Sequence, residues 1–196
     1  MYTSKSKAKI EKMNHITSEA RSCLGCELGE HRKNVVVGSG SLDAEIVLIG
    51  EAPGRKEDES GLPFVGSAGK LLDNLLASAG LSRDEIFIGN ILKCRPPGNR
   101  RPKKTEIESC KAYLIRQLEI IKPKVIAPMG NSALSFFQSL YGLEEIVIGD
   151  AHGKLYEVKT PWGKVKLIPL YHPAAAIYRR NLLEELEEDM KKLVSS

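Results

Sequence analysis

Glu45-Ile46-Val47-Leu48-Ile49-Gly50 is the stretch whose reading decides the fold. It is a short, largely β-branched apolar run closed by a glycine, the pattern of a strand covered on both faces. Working outward, Leu71, Leu72, Leu75 and Leu76 recur at helical spacing, and Gly80 closes that helix. Ser82 and Glu85 have capping-box spacing and predict a short helical turn, and Ile86–Leu92 reads as a second strand. After the basic, Pro/Gly-rich loop Cys94–Lys104, Thr105 and Glu108 predict a capping box. It opens a helix with Ile107, Cys110, Leu114, Leu118 and Ile121 on one face. Val125–Pro128 is a third strand, and Gly130-Asn131-Ser132 starts the next helix. Lys154–Lys159 and Lys164–Leu170 flank a Thr-Pro-Trp-Gly turn and read as a hairpin whose second arm also serves as a fourth core strand. A final helix turns Leu183, Leu186, Met190 and Leu193 inward. Strands alternating with helices predict an α/β sandwich with a mostly parallel sheet. Ligands of such folds bind beyond the C-terminal strand ends.

The 196 residues suit one domain spanning 1–196, with residues 1–14 a polar tail or helix. Hydrophobic residues make up 42% and charged residues 28%, a globular rather than a disordered composition. No apolar run approaches the roughly 18 residues of a membrane span. The lysine-rich segment Met1–Met13 lacks the apolar core of a secretory signal, so the expected compartment is the cytoplasm. A formal charge of +4 permits a nucleic-acid partner without demonstrating one.

Cys23, Cys26, Cys94 and Cys110 are all the cysteines in the chain. Without a secretion signal they do not read as a disulfide framework. Cys23 and Cys26 form a C-x2-C pair, able to grip one metal centre from a single turn, while Cys94 and Cys110 come from a loop and the helix after it. Four thiolates suit a structural zinc or an iron–sulfur cluster, and spacing leaves both open. The alternative, buried cysteines acting as small hydrophobes, fits poorly with a pair so near an N-terminal segment.

The predicted topology brings three strand ends to one crevice: Gly50 through Gly54, Asn90, and His172-Pro173. Singly these are a tight turn, a loop cap and a core histidine; their shared position after successive strands makes them a site. Gly50 and Gly54 let backbone amides approach a planar ligand. Asn90 can pair with an imide edge, Phe64 can stack on a ring, and His172 can donate to a carbonyl oxygen gaining negative charge. The set describes a nucleobase pocket better than a sugar or phosphate pocket.

The chain resembles the iron–sulfur (type 4) group of the uracil-DNA glycosylase superfamily. The resemblance is carried by Cys23-Leu24-Gly25-Cys26, G-E-A-P-G at 50–54, G-L-P-F-V-G-S-A-G-K-L-L at 61–72, G-N-I-L-K-C-R-P-P at 89–97, Cys110, and H-P-A-A-A at 172–176. These follow family order from about residue 20 onward, and the same signature occurs in domains attached to phage DNA polymerases. The resemblance implies a three-layer sandwich around a four-stranded parallel sheet, and a 4Fe–4S cluster on the four cysteines. It also implies a uracil pocket of Gly50, Glu51 and Ala52 through their backbone, Phe64 stacking, Asn90 reading the base edge and His172 near O2. The expected substrate is uracil in single- or double-stranded DNA, with a nucleoid-associated protein leaving an abasic site as base excision repair begins.

Two departures from the family pattern stand out. Gly54 occupies the place of a tyrosine that rejects thymine in the best-known relatives, making Glu57 a candidate for that task. Ala52 replaces an aspartate that orients water, leaving Glu51, Glu57 and Asp58 as nearby carboxylates; Glu51 is taken with His172 as catalytic. The loop residues Arg95, Arg100, Arg101, Lys103 and Lys104 are expected to meet phosphates, and Tyr178, Arg179 and Arg180 to enter the minor groove. His152 is read as structural, His15 and His31 as surface residues, and Trp162 as packing the hairpin. Nothing points to an obligate dimer or identifies a sliding clamp as partner, so a monomer is expected. The competing readings are an electron-transfer module, a non-catalytic iron–sulfur DNA-binding domain, and a glycosylase accepting further deaminated bases.

Overall fold

The computed structural model describes residues 4–195. Helix α1 (Ser4–Ser22) runs up to the first cysteine and is followed by α2 (Leu28–His31), a short strand β1 (Ser39–Gly40) and the central strand β2 (Ile46–Gly50). Then come α3 (Arg55–Ser60), α4 (Ser67–Ser78), β3 (Phe87–Asn90), a 3-10 turn (Pro97–Asn99) and α5 (Lys104–Ile121). The chain continues through β4 (Val125–Pro128), α6 (Asn131–Tyr141), α7 (Ile148–Ala151), β5 (Tyr156–Thr160) and β6 (Gly163–Leu167). It closes with α8 (Pro173–Ala176) and α9 (Arg180–Ser195). No helix among the described residues is long and apolar enough to cross a membrane.

The sheet order is β1-β3-β2-β4-β6-β5. The inner strands β3, β2, β4 and β6 are mutually parallel, as expected, and β1 and β5 add antiparallel edges. The two-residue β1 has no sequence signature of its own: it is held by pairing Ser39 and Gly40 with Ile88 and Phe87. Alternation along β2 builds both cores. Ile46 and Leu48 pack with α4 and α9 through Leu72, Leu76, Leu186 and Met190. Val47 and Ile49 pack with α5, α6 and the hairpin through Leu114, Leu118, Phe137 and Val165. Helices therefore cover both faces, and every residue of β2 is buried.

Three local expectations shift. Ser82 and Glu85 do join, through the Ser82 N–H and hydroxyl donating to Glu85 Oε2 at 2.9 and 2.8 Å, but they close a turn and not a helix. Helix α5 is capped two residues earlier than Thr105: Lys103 N–H donates to Glu106 Oε2 at 2.7 Å. The reason is that Glu106 is buried, 2% exposed, and anchored by Arg100, whereas Glu108 is exposed. Strand β3 stops at Asn90, although the N–H groups of Ile91 and Leu92 still donate to the carbonyls of Gly50 and Glu51. His152 is structural, its Nδ1 2.6 Å from Asp189 Oδ2, tying the segment after α7 to α9. Trp162 packs on the hairpin side of the core and donates to Pro123 O at 3.1 Å.

Leu48 is fully buried in the central strand, so Leu48→Ala should cost about 2–5 kcal/mol of unfolding free energy. Leu155→Ala, at a 52% exposed position before the hairpin, should stay within about 0.5 kcal/mol. Urea denaturation of the two variants checks both values.

Candidate active site

The parallel register sets the site. Gly50 pairs with Asn90, Ile49 with Pro128, and Met129 bridges to Leu170, so four strands end on one line with His172 two residues beyond. His172 is placed by its own sequence. The residue before a proline is held extended, and proline is favoured in the first position of a helix. His172 (φ −70°, ψ 131°) therefore becomes the N-cap of α8, and its side chain accepts a hydrogen bond from the Ala174 N–H. That bond, 3.2 Å to Nδ1, puts the proton of the neutral ring on Nε2. Loss of hydration pushes the imidazole down to about 4, with the Glu57 carboxylate opposing, so the ring is neutral at pH 7.

Phe64 stacks on His172 with ring centroids 5.6 Å apart and planes at 29°. Its backbone is held at φ 52°, unusual for a bulky residue. Arg83 supports this conformation, donating to Phe64 O at 2.6 Å and Pro63 O at 3.1 Å. Sequence reading passed over Arg83 because its partners are carbonyl groups about 20 residues away, and carbonyls leave no signature in the side-chain pattern. Gly50 is required by crowding. A Cβ there would lie 2.5 Å from Asn90 Oδ1 and 2.8 Å from Phe64 Cζ. Asn90 is 2% exposed and its Oδ1 has no hydrogen-bond partner, a costly state for a buried acceptor.

A cavity of about 930 Å³ opens beside this group, lined by Glu51, Gly130, Ser132, Tyr171 and His172 and bordered by Arg101 and Lys104. Asn90 and Phe64 do not line it; they are buried next to Gly50. Of the three candidate carboxylates, Glu51 alone lines the cavity, where it accepts a hydrogen bond from the Ser132 hydroxyl. Glu57 accepts from the N–H groups of Gly54, Val65 and Gly66 at 3.1, 2.8 and 2.9 Å. Its Oε2 would lie 2.7 Å from a Cβ on residue 54, so this carboxylate fills the space a side chain there would take. The buried Asp58 carboxylate accepts from the Lys33 N–H at 2.9 Å and pins the loop before β1. Ala52 packs toward the cysteines rather than the cavity.

The basic loop divides. Arg100 makes a two-pronged pair with Glu106, Lys103 reaches Glu27 Oε2 at 3.0 Å, and Arg95 donates to Asn99 Oδ1 at 2.7 Å. Of the basic residues expected to meet phosphates, Arg100 has both ends of its guanidinium held by a buried carboxylate. Arg101 and Lys104 are exposed at the cavity border. Tyr178, 91% exposed, stands with the exposed Arg179 and Arg180 after α8.

The four cysteines converge from α1–α2, the loop after β3, and α5 onto one small cavity shared with Arg32, Lys93 and Tyr113. Sulfur acceptors are already served: Gly25 N–H to Cys23 at 3.4 Å, Lys93 N–H to Cys110 at 3.4 Å and Arg32 to Cys94 at 3.2 Å. Burial pushes the Cys110 thiol up to about 11 and raises Cys94, so deprotonation there needs a strong positive partner. Among the described residues, no group of three or more His, Cys, Asp or Glu could hold a single metal ion.

A family model described as the uracil DNA glycosylase superfamily matches residues 37–194. A type-4 uracil-DNA glycosylase of Archaeoglobus fulgidus is 51% identical over 185 residues, covering 94% of this chain and 92% of that protein. One of Sulfurisphaera tokodaii is 44% identical over 185 residues, covering 94% and 84%. A DNA polymerase of Bacillus phage SP01 is 31% identical over 169 residues, 86% of this chain but 17% of the polymerase.

With the half-buried His172 ring held neutral, the unfolded chain binds more protons than the folded one between pH 6.5 and about 4. The stability His172 contributes is complete above pH 6.5 and declines as pH falls through that window. For a half-buried ring the decline should be about 1–2 kcal/mol. His172→Asn, which keeps a capping acceptor, should lack this component. Urea unfolding of both proteins across the pH range reads the difference.

Proposed function

The chain belongs to the uracil-DNA glycosylase superfamily, and from that premise we propose that it hydrolyses the N-glycosidic bond of deoxyuridine flipped out of DNA. Uracil leaves, an abasic site remains, and base excision repair begins. The observation that carries the reading is the buried, unpartnered Oδ1 of Asn90, set beside the Phe64 ring and the bare backbone of Gly50. The imide N3–H of uracil supplies the missing donor, and the Asn90 amide N–H faces the adjacent carbonyl. Cytosine offers a lone pair where uracil offers N3–H and is rejected.

The duplex withholds its bases, so extrusion comes first, at an expense of a few kcal/mol. In this reading Tyr178, exposed beside the histidine turn, fills the gap, with Arg179 and Arg180 on the backbone. Bond breaking leaves negative charge on uracil O2. The Nε2–H of His172 meets that charge as a neutral donor, oriented by the Ala174 contact. Glu51, fixed by Ser132, is the carboxylate on the cavity side and orients the attacking water. Glu57, filling the space beside Gly54, blocks a 5-methyl group and so excludes thymine.

In this reading Cys23, Cys26, Cys94 and Cys110 hold a 4Fe–4S cluster, whose sulfur ligands stand further apart than those around one ion. The amide and guanidinium donors to sulfur suit thiolate ligands. Such a cluster supplies a cross-link among α1, the basic loop and α5; hydrolysis itself moves no electrons.

Incubation with single-stranded and duplex oligonucleotides carrying one uracil, followed by alkaline strand cleavage, tests the activity; hypoxanthine substrates map the range. His172→Ala should lower the single-turnover excision rate about 100- to 1000-fold, far more than Glu57→Ala. A near-wild-type rate in His172→Ala would remove the main catalytic assignment.

The paired state of Arg100 and Lys103 sharpens the DNA contact. Arg101→Gln with Lys104→Gln should reduce the slope of log affinity against log salt by about 2, whereas Arg100→Gln should chiefly lower stability. Binding isotherms at several salt concentrations measure the slope.

A further inference from the structure

Lys93 is among the largest side chains buried to less than 2% exposure in the described residues, itself 1% exposed. It sits between Leu92, which closes the pairing to β2, and cysteine 94. Its ammonium donates to the main-chain carbonyl of Asn90 at 2.9 Å, and its own N–H donates to Cys110 Sγ at 3.4 Å. The side chain lines the cysteine cavity. Burying an ammonium with a single oxygen partner is expensive unless negative charge lies close by. The groups available for that are the sulfurs of Cys94 and Cys110.

We propose that Lys93 is a positioning residue: from within the cysteine cavity it holds the end of β3 so that the Asn90 amide meets the base edge in register. Asn90 is the last residue of its strand, and after two more pairing bonds, from Ile91 and Leu92, the chain reaches Lys93 and the cysteine loop. Sheet pairing fixes its backbone on one side, through Gly50. The Lys93 bond fixes its carbonyl three residues ahead, closing a small ring that a neutral apolar side chain could not close. Gly89 preceding it also lies against this ammonium: a Cβ on residue 89 would be 3.9 Å from Nζ. The cysteine centre thereby reaches the base-reading amide by two links, sulfur to Lys93 and Lys93 to Asn90. This gives the centre a part in base discrimination as well as in joining segments. The inference rests on the assignment of Asn90 to the uracil edge.

The test uses the full chain with its metal centre. Anisotropy measures binding to two single-stranded oligonucleotides that differ at one position: 2′-fluoro-2′-deoxyuridine, which resists hydrolysis, or thymidine. Lys93→Met removes charge and donor at similar volume; Lys93→Gln restores a donor without the charge. Thermal unfolding and visible absorption report whether each variant is folded and loaded. Folded, loaded Lys93→Met should lose the uracil-over-thymine binding ratio by about tenfold. Its affinity for the thymidine oligonucleotide should stay at the wild-type value, and Lys93→Gln should recover part of the ratio. A ratio within about twofold of wild type in folded Lys93→Met overturns the proposal, and so does failure of both variants to fold, which would make Lys93 a folding requirement. Wild-type protein that shows no preference for uracil would instead sink the assignment of Asn90.

Discussion

The pairing of Gly50 with Asn90 in the parallel ladder between β2 and β3 is the constraint on which the rest of the site depends. It places a residue without a side chain directly beside one with an amide, at the point where both strands end. The amide and the Phe64 ring then enter the volume that a Cβ at position 50 would occupy. Once those groups are seated, Asn90 Oδ1 is buried with no hydrogen-bond partner among the described residues. The protein carries that unsatisfied acceptor as a standing penalty, which a ligand with a matching N–H relieves. In the proposed function, base reading and destabilisation therefore lie at the same atom.

Around this point the molecule supports a rigid frame by unusually local means. His172 is oriented by its neighbours in sequence, because the following proline imposes both an extended backbone and a helix start. Phe64 is held in a left-handed conformation by Arg83, and the loop between β2 and α4 is gathered on three amide bonds to Glu57. Two acidic residues adjacent in sequence, Glu57 and Asp58, therefore serve as internal ties, while Glu51 remains on the cavity wall. The same division appears among the cations. Arg100 organises the start of α5 through the buried Glu106, leaving Arg101 and Lys104 at the border of the cavity.

Much of this was legible before any coordinates. The apolar runs Glu45–Gly50, Ile86–Leu92 and Val125–Pro128 marked inner strands, and the leucine spacing marked the helices, because both patterns are local periodicities imposed by burial on one or two faces. The convergence of Gly50, Asn90 and His172 followed from topology alone, since parallel strands end at the same edge. The capping boxes were less secure. Thr105 and Glu108 have the right spacing, but burial of Glu106 selected Lys103 instead. Nor could spacing show that β1 would pair through two residues at the edge, where neighbouring backbone and not side-chain pattern decides.

What the sequence alone determined was the order of elements, the residues that could do chemistry, and the N-cap geometry of His172, since each depends on contacts within a few residues. Only the tertiary structure decided which charges are free and which are tied, because an ion pair such as Arg100 with Glu106 is settled by distance and burial and not by charge count. It alone decided that Lys93 turns inward to the Asn90 carbonyl, since a lysine just before a basic loop reads as solvent-facing until its hydration is seen to be replaced. And it alone placed Asn90 Oδ1 without a partner, a property that belongs to no residue singly and arises from the packing of three strand ends.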